Sequence, residues 1–206
     1  MDLSTILGLG QTALELGLIS GLTVLALFLS YSMLNICDLS TDGCFTLGAA
    51  VGATVAAAGH PYLAIAAAML SGIVSGFITA FLQTKMGIDS LLSGIIVNTG
   101  LYSINIAIMG SSLVNLNKAD TVFTKMKDLL ADTVFAGQSK LAVALIAVVL
   151  VVLFLVFFLK TKLGLAIRAT GNNPAMVKSS SINPVFTIII GLCISNAFTA
   201  FSGCLM

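Results

Sequence analysis

The most informative part of this chain is residues 141–159, which read LAVALIAVVLVVLFLVFFL. These nineteen residues carry no polar side chain, and a lysine stands directly outside each end, at Lys140 and Lys160. A helix of this length measures roughly 28 Å, close to the hydrocarbon thickness of a bilayer, which is about 30 Å. The segment therefore predicts a helix that crosses a lipid bilayer.

The overall composition supports a membrane protein. Of the 206 residues, 58% are hydrophobic and only 8% are charged, whereas a soluble domain carries about 25% charged residues. So few charges cannot cover a water-exposed surface, which excludes an ordinary soluble protein. Nine Lys and Arg against eight Asp and Glu give a net charge of +1, which argues against a nucleic-acid-binding protein.

Several other apolar segments predict further membrane helices. The full-length candidates are Leu16–Ile36, Tyr62–Thr84, Ser90–Gly110 and Val185–Met206. Phe45–Ala58 is too short for a clean crossing and predicts a broken, re-entrant or interior helix. We therefore expect one all-α domain over residues 1–206, a polytopic transmembrane bundle with about five full spans and one short membrane helix. Residues 1–15 are a possible interfacial helix.

The polar connections between these segments predict an orientation. Residues 160–184 contain four cations and no acid, so the positive-inside rule places this loop in the cytoplasm. Counting back through six crossings then places residues 111–140 outside the cell, together with the N-terminus. If Phe45–Ala58 does not cross, the N-terminus lies inside instead.

Small residues recur at every fourth position in three of the apolar segments. This spacing puts small side chains on one helix face, so that helix backbones can approach closely. We therefore expect tight helix packing along three ladders: Ala64, Ala68, Gly72, Gly76 and Ala80; Gly191, Ser195, Thr199 and Gly203; and Gly48 with Gly52.

A polar stripe interrupts the apolar surface of one predicted span. Asn98, Tyr102 and Asn105 follow helical spacing, and Asn196 is a similar polar residue in the last span. Amide groups are costly against lipid, so these side chains should face the bundle interior or a water-filled path. Either hydrogen bonds between helices or the lining of a solute path would explain them. The full spans contain no charge, which predicts an energy source outside this chain.

No enzyme or metal motif is present in the sequence. The single histidine, His60, stands beside a proline in a predicted turn, and the four cysteines lack metal-ligand spacing. We expect the cysteines to pack as small apolar residues. The sequence thus predicts a protein that is not an enzyme and has no metal or cofactor.

The basic loop carries a recognisable helix start. Asn173 is suited to cap a helix and Pro174 to occupy its first position, while residues 170–172 predict a preceding turn. A short helix here would present Met176 to a partner protein. The simpler alternative is a connector with an interfacial helix.

Two sequence segments resemble a known family. GLAIRATGNNPAMVKSSSIN, residues 164–183, resembles the cytoplasmic loop of ATP-binding-cassette (ABC) importer permeases of the branched-chain amino acid and ribose type. LNICDLSTDGCFTLGAA, residues 34–50, resembles the subgroup for aromatic amino acids such as tryptophan or tyrosine. The chain departs from the family at residues 179–182 and at Cys44.

The resemblance implies roles for particular residues. In this family the cytoplasmic loop docks into the ATPase. The resemblance therefore implies that the docking residues of this chain are Arg168, Thr170, Gly171, Asn172, Asn173, Pro174 and Met176. A helix near the translocation path would begin with Asp42, Gly43, Phe45 and Thr46. To these we add Asn98, Tyr102, Asn105 and Asn196 as candidate path residues.

The resemblance also implies a function and partners. It implies an amino acid importer subunit in the inner (cell) membrane, which works with an ABC ATPase dimer, a second and identical permease subunit, and an extracytoplasmic binding protein. The C-terminal part of the family's domain is expected to be missing. The alternatives are a channel or carrier without an ATPase and a membrane scaffold that does not transport.

Overall fold

The computed structural model describes residues 3–110 and 139–206, and this part of the chain is helical without strands. Most of the predicted outer loop, residues 111–138, lies outside the described residues. Eight α-helices are present in the described part: α1 (Leu3–Leu27), α2 (Thr41–Ala57), α3 (Pro61–Thr84), α4 (Ser90–Met109), α5 (Ser139–Lys160), α6 (Lys162–Asn172), α7 (Pro174–Ser179) and α8 (Pro184–Leu205). A π-helical turn, Phe28–Met33, continues α1. The expected all-α bundle is confirmed.

Within the described residues, five helical segments are long and apolar enough to cross a membrane. They are Gly8–Met33, Pro61–Thr84, Ser90–Met109, Lys140–Lys160 and Pro184–Leu205. The number of full spans agrees with the prediction, but the first one begins earlier. Residues 3–15 do not form a separate helix, because α1 runs on from Leu3 without a break. Glu15, expected just outside the span, therefore lies within this segment.

Local capping chemistry sets several helix boundaries. The Asp89 carboxylate accepts a hydrogen bond of 2.9 Å from the backbone N–H of Leu91 at the start of α4. Gly110 ends that helix in the left-handed region, with φ +65°. The turn before α3 contains Gly59 at φ +89°, and Pro61 occupies the first turn of the helix. These boundaries follow from residues next to one another in the sequence.

The short apolar segment is an unbroken interior helix. It begins at Thr41, four residues earlier than Phe45, and its seventeen residues span about 25 Å. It runs parallel to α8, with Gly48 against Ala200 and Gly52 against Cys204. Helix α2 starts inside the bundle, where the Cys44 thiol donates to the Asn196 carbonyl, and runs towards the end of α8. The N-terminus lies at the end opposite α6 and α7, because α1 runs antiparallel to α8, with Ser195 bonded to Ala26 and Ser202 to Ile19.

Helix α8 lies at the centre of the bundle and packs on α1, α2 and α3. The predicted ladders are the surfaces of these contacts. A Cβ atom on Gly72 would lie 2.5 Å from the carbonyl oxygen of Asn196, and one on Gly76 would lie 2.6 Å from that of Leu192. On the other side, the Ser195 hydroxyl donates a hydrogen bond of 2.7 Å to the carbonyl of Ala26 in α1. The small-residue spacing therefore allows backbone contact along three helices.

Helix α5 lies at the periphery, where it packs on α1 and α6. Its outward side chains form a broad apolar face, which includes Leu150 and Phe157. Such a surface matches lipid rather than water or another polar protein.

Candidate functional site

The first candidate site is formed by α6 and α7, which together make up most of the basic loop. The Asn173 side chain accepts hydrogen bonds of 3.1 Å from the backbone N–H groups of Ala175 and Met176. Pro174 occupies the first turn of α7, so the predicted cap and helix start are confirmed. Met176 is 66% exposed, and four more of the expected docking residues are also exposed: Arg168, Asn172, Asn173 and Pro174.

Two of the expected docking residues face the bundle instead. Thr170 is only 2% exposed, and its hydroxyl lies 2.8 Å from the hydroxyl of Thr187 in α8. A Cβ atom on Gly171 would overlap the carbonyl oxygen of Met33. The turn predicted at residues 170–172 is wrong, because these residues end α6 as helix and only Asn173 leaves the helical conformation. Thr170 and Gly171 attach α6 to the bundle.

We expect Thr170→Val to lower the free energy of unfolding by about 1 kcal/mol relative to its control, since it removes the buried hydrogen bond to Thr187 as well as the bond to the Ala166 carbonyl of its own helix. The measurement is unfolding in mixed detergent micelles. Thr12→Val is the matched control, because the exposed Thr12 hydroxyl bonds only to the Gly8 carbonyl of its own helix. A Thr170→Val variant as stable as this control would contradict the assigned contact.

The second candidate site lies between α2 and α4. The Asn105 amide donates hydrogen bonds to the Thr46 hydroxyl at 2.7 Å and to the Gly43 carbonyl at 3.3 Å. A Cβ atom on Gly43 would lie 2.5 Å from the side-chain oxygen of Asn98. The absence of a side chain at Gly43 therefore favours the close approach of the two helices. The structure brings Gly43, Thr46, Asn98 and Asn105 together at one contact.

The three residues of the predicted polar stripe differ in exposure. Tyr102 is 69% exposed, Asn98 is half-buried, and Asn105 is buried against α2. The side-chain oxygen of Asn105 has no hydrogen-bond partner among the described residues. Asp42 and Thr46 are exposed on the same side of α2, and Phe45 is half-buried. Polar side chains thus extend from this contact onto the outer surface of α2 and α4.

A buried polar cluster lies beside this contact, and the sequence analysis missed its central residue. Asp38 is only 5% exposed, and one of its carboxylate oxygens accepts hydrogen bonds from the backbone N–H of Ser40 at 2.9 Å and from its hydroxyl at 2.6 Å. The other oxygen accepts a hydrogen bond of 2.9 Å from the Asn196 amide. The Thr79 hydroxyl donates to that of Ser40 at 3.3 Å. We call these four residues the Asp38 cluster.

The Asp38 cluster gives Asn196 a packing role in this structure. Its side chain is 1% exposed and hydrogen-bonded to Asp38, so it does not line an open surface. A carboxylate this deeply buried is costly unless donors surround it, and here three donors do. The local signal was the sequence Asp38-Leu39-Ser40, which is suited to a side-chain turn before a helix. The Asn196 partner, 158 positions away, has no local signal.

The four cysteines are free thiols. Cys44 is buried and Cys193 and Cys204 are half-buried, as expected for small packing residues. Cys37 is exposed, which corrects that expectation for one position. The described residues contain no group of three potential metal ligands among His, Cys, Asp and Glu.

Charge is distributed unevenly between the two ends of the bundle. Of the six Lys and Arg in the described residues, all but Lys140 lie at the end where α6 and α7 are attached: Lys85, Lys160, Lys162, Arg168 and Lys178. We call this the basic end.

The fold and these sites define a polytopic, helical, integral membrane protein with a basic protruding helix pair at one end. Comparison with known proteins then gives its family. The chain belongs to the family described as the branched-chain amino acid transport system / permease component, whose model matches residues 11–206. The description is that of a transport component rather than of an enzyme.

Two relatives illustrate the similarity. The chain is 37% identical over 191 residues to the tyrosine transport system permease protein of Clostridioides difficile (strain R20291), a match that covers 92% of this chain and 61% of the relative. It is 31% identical over 194 residues to the uncharacterized protein RP368 of Rickettsia prowazekii (strain Madrid E), which covers 94% of this chain and 66% of that protein. The chain thus spans less than two thirds of the length of these curated relatives. No solved structure matches it.

Proposed function

We propose that this protein is the membrane-spanning permease subunit of an ABC importer for an amino acid. The observation that carries the proposal is the exposed, capped helix α7 at the basic end, which is attached to the bundle through the buried side of α6. An exposed helix attached in this way is accessible to a soluble partner and in direct contact with the bundle. Family membership supports the same function.

The proposed partners follow from this arrangement. An ATPase dimer binds α6 and α7 of two permease subunits at the cytoplasmic face of the inner (cell) membrane. A second copy of the chain completes the pathway, and an extracytoplasmic binding protein delivers the solute at the opposite end. ATP-bound and free ATPase dimers hold the two α7 helices at different separations and so bias the bundle between two states.

The proposed translocation path follows the polar surface of α2 and α4. Asp42, Thr46 and Tyr102 are exposed there, and polar side chains at membrane depth are expected to face water or protein rather than lipid. Asn98 and Asn105 lie behind this surface, while Gly43 and Phe45 shape the start of α2. The tyrosine permease relative supports an amino acid as the solute.

We expect the double variant Arg168→Glu and Met176→Ala to lose association with the partner ATPase. Exposed arginine and methionine are enriched in interfaces, and loss of such residues at an interface centre costs about 2 kcal/mol or more, so recovery should fall at least about tenfold. The measurement is co-purification of the ATPase with the permease from membranes.

Lys140→Glu provides the matched charge control, because Lys140 is exposed at the opposite end. It should leave ATPase recovery unchanged. Normal recovery with the double variant would show that α6 and α7 are not the docking site. Equal loss with Lys140→Glu would point to a general effect of charge on the protein.

A further inference from the structure

The segment between α1 and α2 has an unusual backbone. It begins with the π-helical turn Phe28–Met33, and Asn35 then adopts a positive φ of 55°, which is uncommon for a residue other than glycine. π-helical turns interrupt α-helices rarely and often at functional positions. We call residues 28–40 the linking segment.

One side of the linking segment contacts the proposed docking element. A Cβ atom on Gly171 in α6 would overlap the carbonyl oxygen of Met33 and would lie 3.0 Å from the Cα atom of Leu34. The Leu34 side chain is buried, and it occupies the space beside Gly191 in α8. Because Gly171 has no side chain, α6 rests directly on the backbone of the linking segment.

The other side of the linking segment contacts the proposed path. A Cβ atom on Gly94 in α4 would lie 2.7 Å from the backbone nitrogen of Leu39. Within the Asp38 cluster, Asp38 and Ser40 bind Asn196 and Thr79, just before α2 begins at Thr41. The linking segment therefore touches α6 at one point and the starts of α2 and α4 at another.

We propose that the linking segment transmits movement of α6 and α7 to α2 and α4, with Gly171 and Leu34 as the positioning residues of this contact. The inference rests on the proposed function, since it requires an ATPase that moves α6. A displacement of α6 must displace Met33 and Leu34, because backbone atoms already touch. The segment passes the displacement to the start of α2 and to Gly94, where the proposed path begins.

The experiment uses the protein with its ATPase and binding protein in vesicles, and Cys37 as a native reporter. Cys37 lies inside the linking segment and is exposed, while the other cysteines are buried or half-buried. A Cys37→Ser variant identifies the labelling that belongs to this residue.

The readouts are the nucleotide dependence of Cys37 labelling by a maleimide, the amount of solute transported per ATP hydrolysed, and ATPase co-purification. The test variants are Gly171→Ala and Leu34→Ala, and the control is Gly17→Ala, whose new Cβ meets no atom within 4 Å.

In the unaltered protein and in Gly17→Ala, we expect the Cys37 labelling rate to change with bound nucleotide. In Gly171→Ala and Leu34→Ala, the ATPase should co-purify, but the labelling should no longer depend on nucleotide. Transport per ATP should fall about fivefold or more, the lower range of typical coupling between sites. If Gly171→Ala does not fold, the comparison is made with Leu34→Ala alone.

Normal transport and labelling in both variants, with the ATPase still bound, would overturn this inference and leave the proposed function standing. A Cys37 labelling rate that does not change with bound nucleotide in the unaltered complex would also overturn the inference. Failure of the unaltered protein to co-purify with the ATPase would instead refute the proposed function, and this inference with it.

Discussion

Gly48→Leu should disrupt the bundle, with a loss in the free energy of unfolding of about 3 kcal/mol or more. Overpacking a tight interface costs about 1–3 kcal/mol and occasionally more, and here the obstacle is backbone rather than a flexible side chain. A Cβ atom on Gly48 would overlap the carbonyl oxygen of Ala200 in α8. The leucine therefore cannot be accommodated unless α2 and α8 separate. Helix α8 also packs on α1 and α3, so its displacement would disturb those contacts too.

The test is the fraction of monodisperse protein after extraction in a mild detergent, together with its midpoint of thermal unfolding. Gly17→Leu is the control, since Gly17 lies on the exposed side of α1 with no atom within 4 Å of an added Cβ. A Gly48→Leu protein that remains monodisperse, with the midpoint of the control, would show that α2 and α8 are not in backbone contact.

Asp38→Ala should be the most damaging substitution of a charged residue in the described part of the chain. It leaves the backbone N–H and hydroxyl of Ser40 and the Asn196 amide without their acceptor. Each buried donor that loses its partner costs about 1–3 kcal/mol. We therefore expect a loss of about 3 kcal/mol in the free energy of unfolding, even though a charge has been removed from an apolar bundle.

Asp42→Ala is the natural comparison, because Asp42 is an exposed aspartate four residues further along, in the first turn of α2. Its favourable interaction with the helix dipole is worth less than about 1 kcal/mol, so the stability should change little, while the proposed translocation path predicts a decline in transport. The measurement is unfolding in mixed micelles, with transport followed separately. Equal destabilisation by the two substitutions would show that Asp38 has no special packing role.

Local sequence features predicted the parts of this structure that depend on neighbouring residues. Asn173 and Pro174 start α7 as expected, because a cap requires only groups within one helical turn. The glycine and alanine ladders predicted tight packing, since their spacing alone places small residues on one face. The start of α2 was misplaced by four residues because Asp38 and Ser40 fix it through contacts with α3 and α8.

The inward face of α6 was predictable in principle. Gly164, Ile167 and Thr170 are buried at intervals of three residues, a helical period inside a loop otherwise notable for its charge. The prediction of a turn at residues 170–172 gave too much weight to Gly171 as a helix breaker. In the structure this glycine serves close approach to Met33, which only a tertiary contact can show. The pairing of Asn196 with Asp38 likewise depends on the assembled fold.

The length of α2 affects the membrane around the protein. At about 25 Å this helix is shorter than the hydrocarbon layer, which measures about 30 Å. Its neighbours α3, α4 and α8 separate much of it from lipid, so it need not match the bilayer thickness. Only the start of α2 lies inside the bundle, level with Asn196, because Gly52 is already level with Cys204 near the end of α8. The shortfall in length therefore falls at the start of α2, where the linking segment rather than a regular helix occupies the outer part of the bilayer.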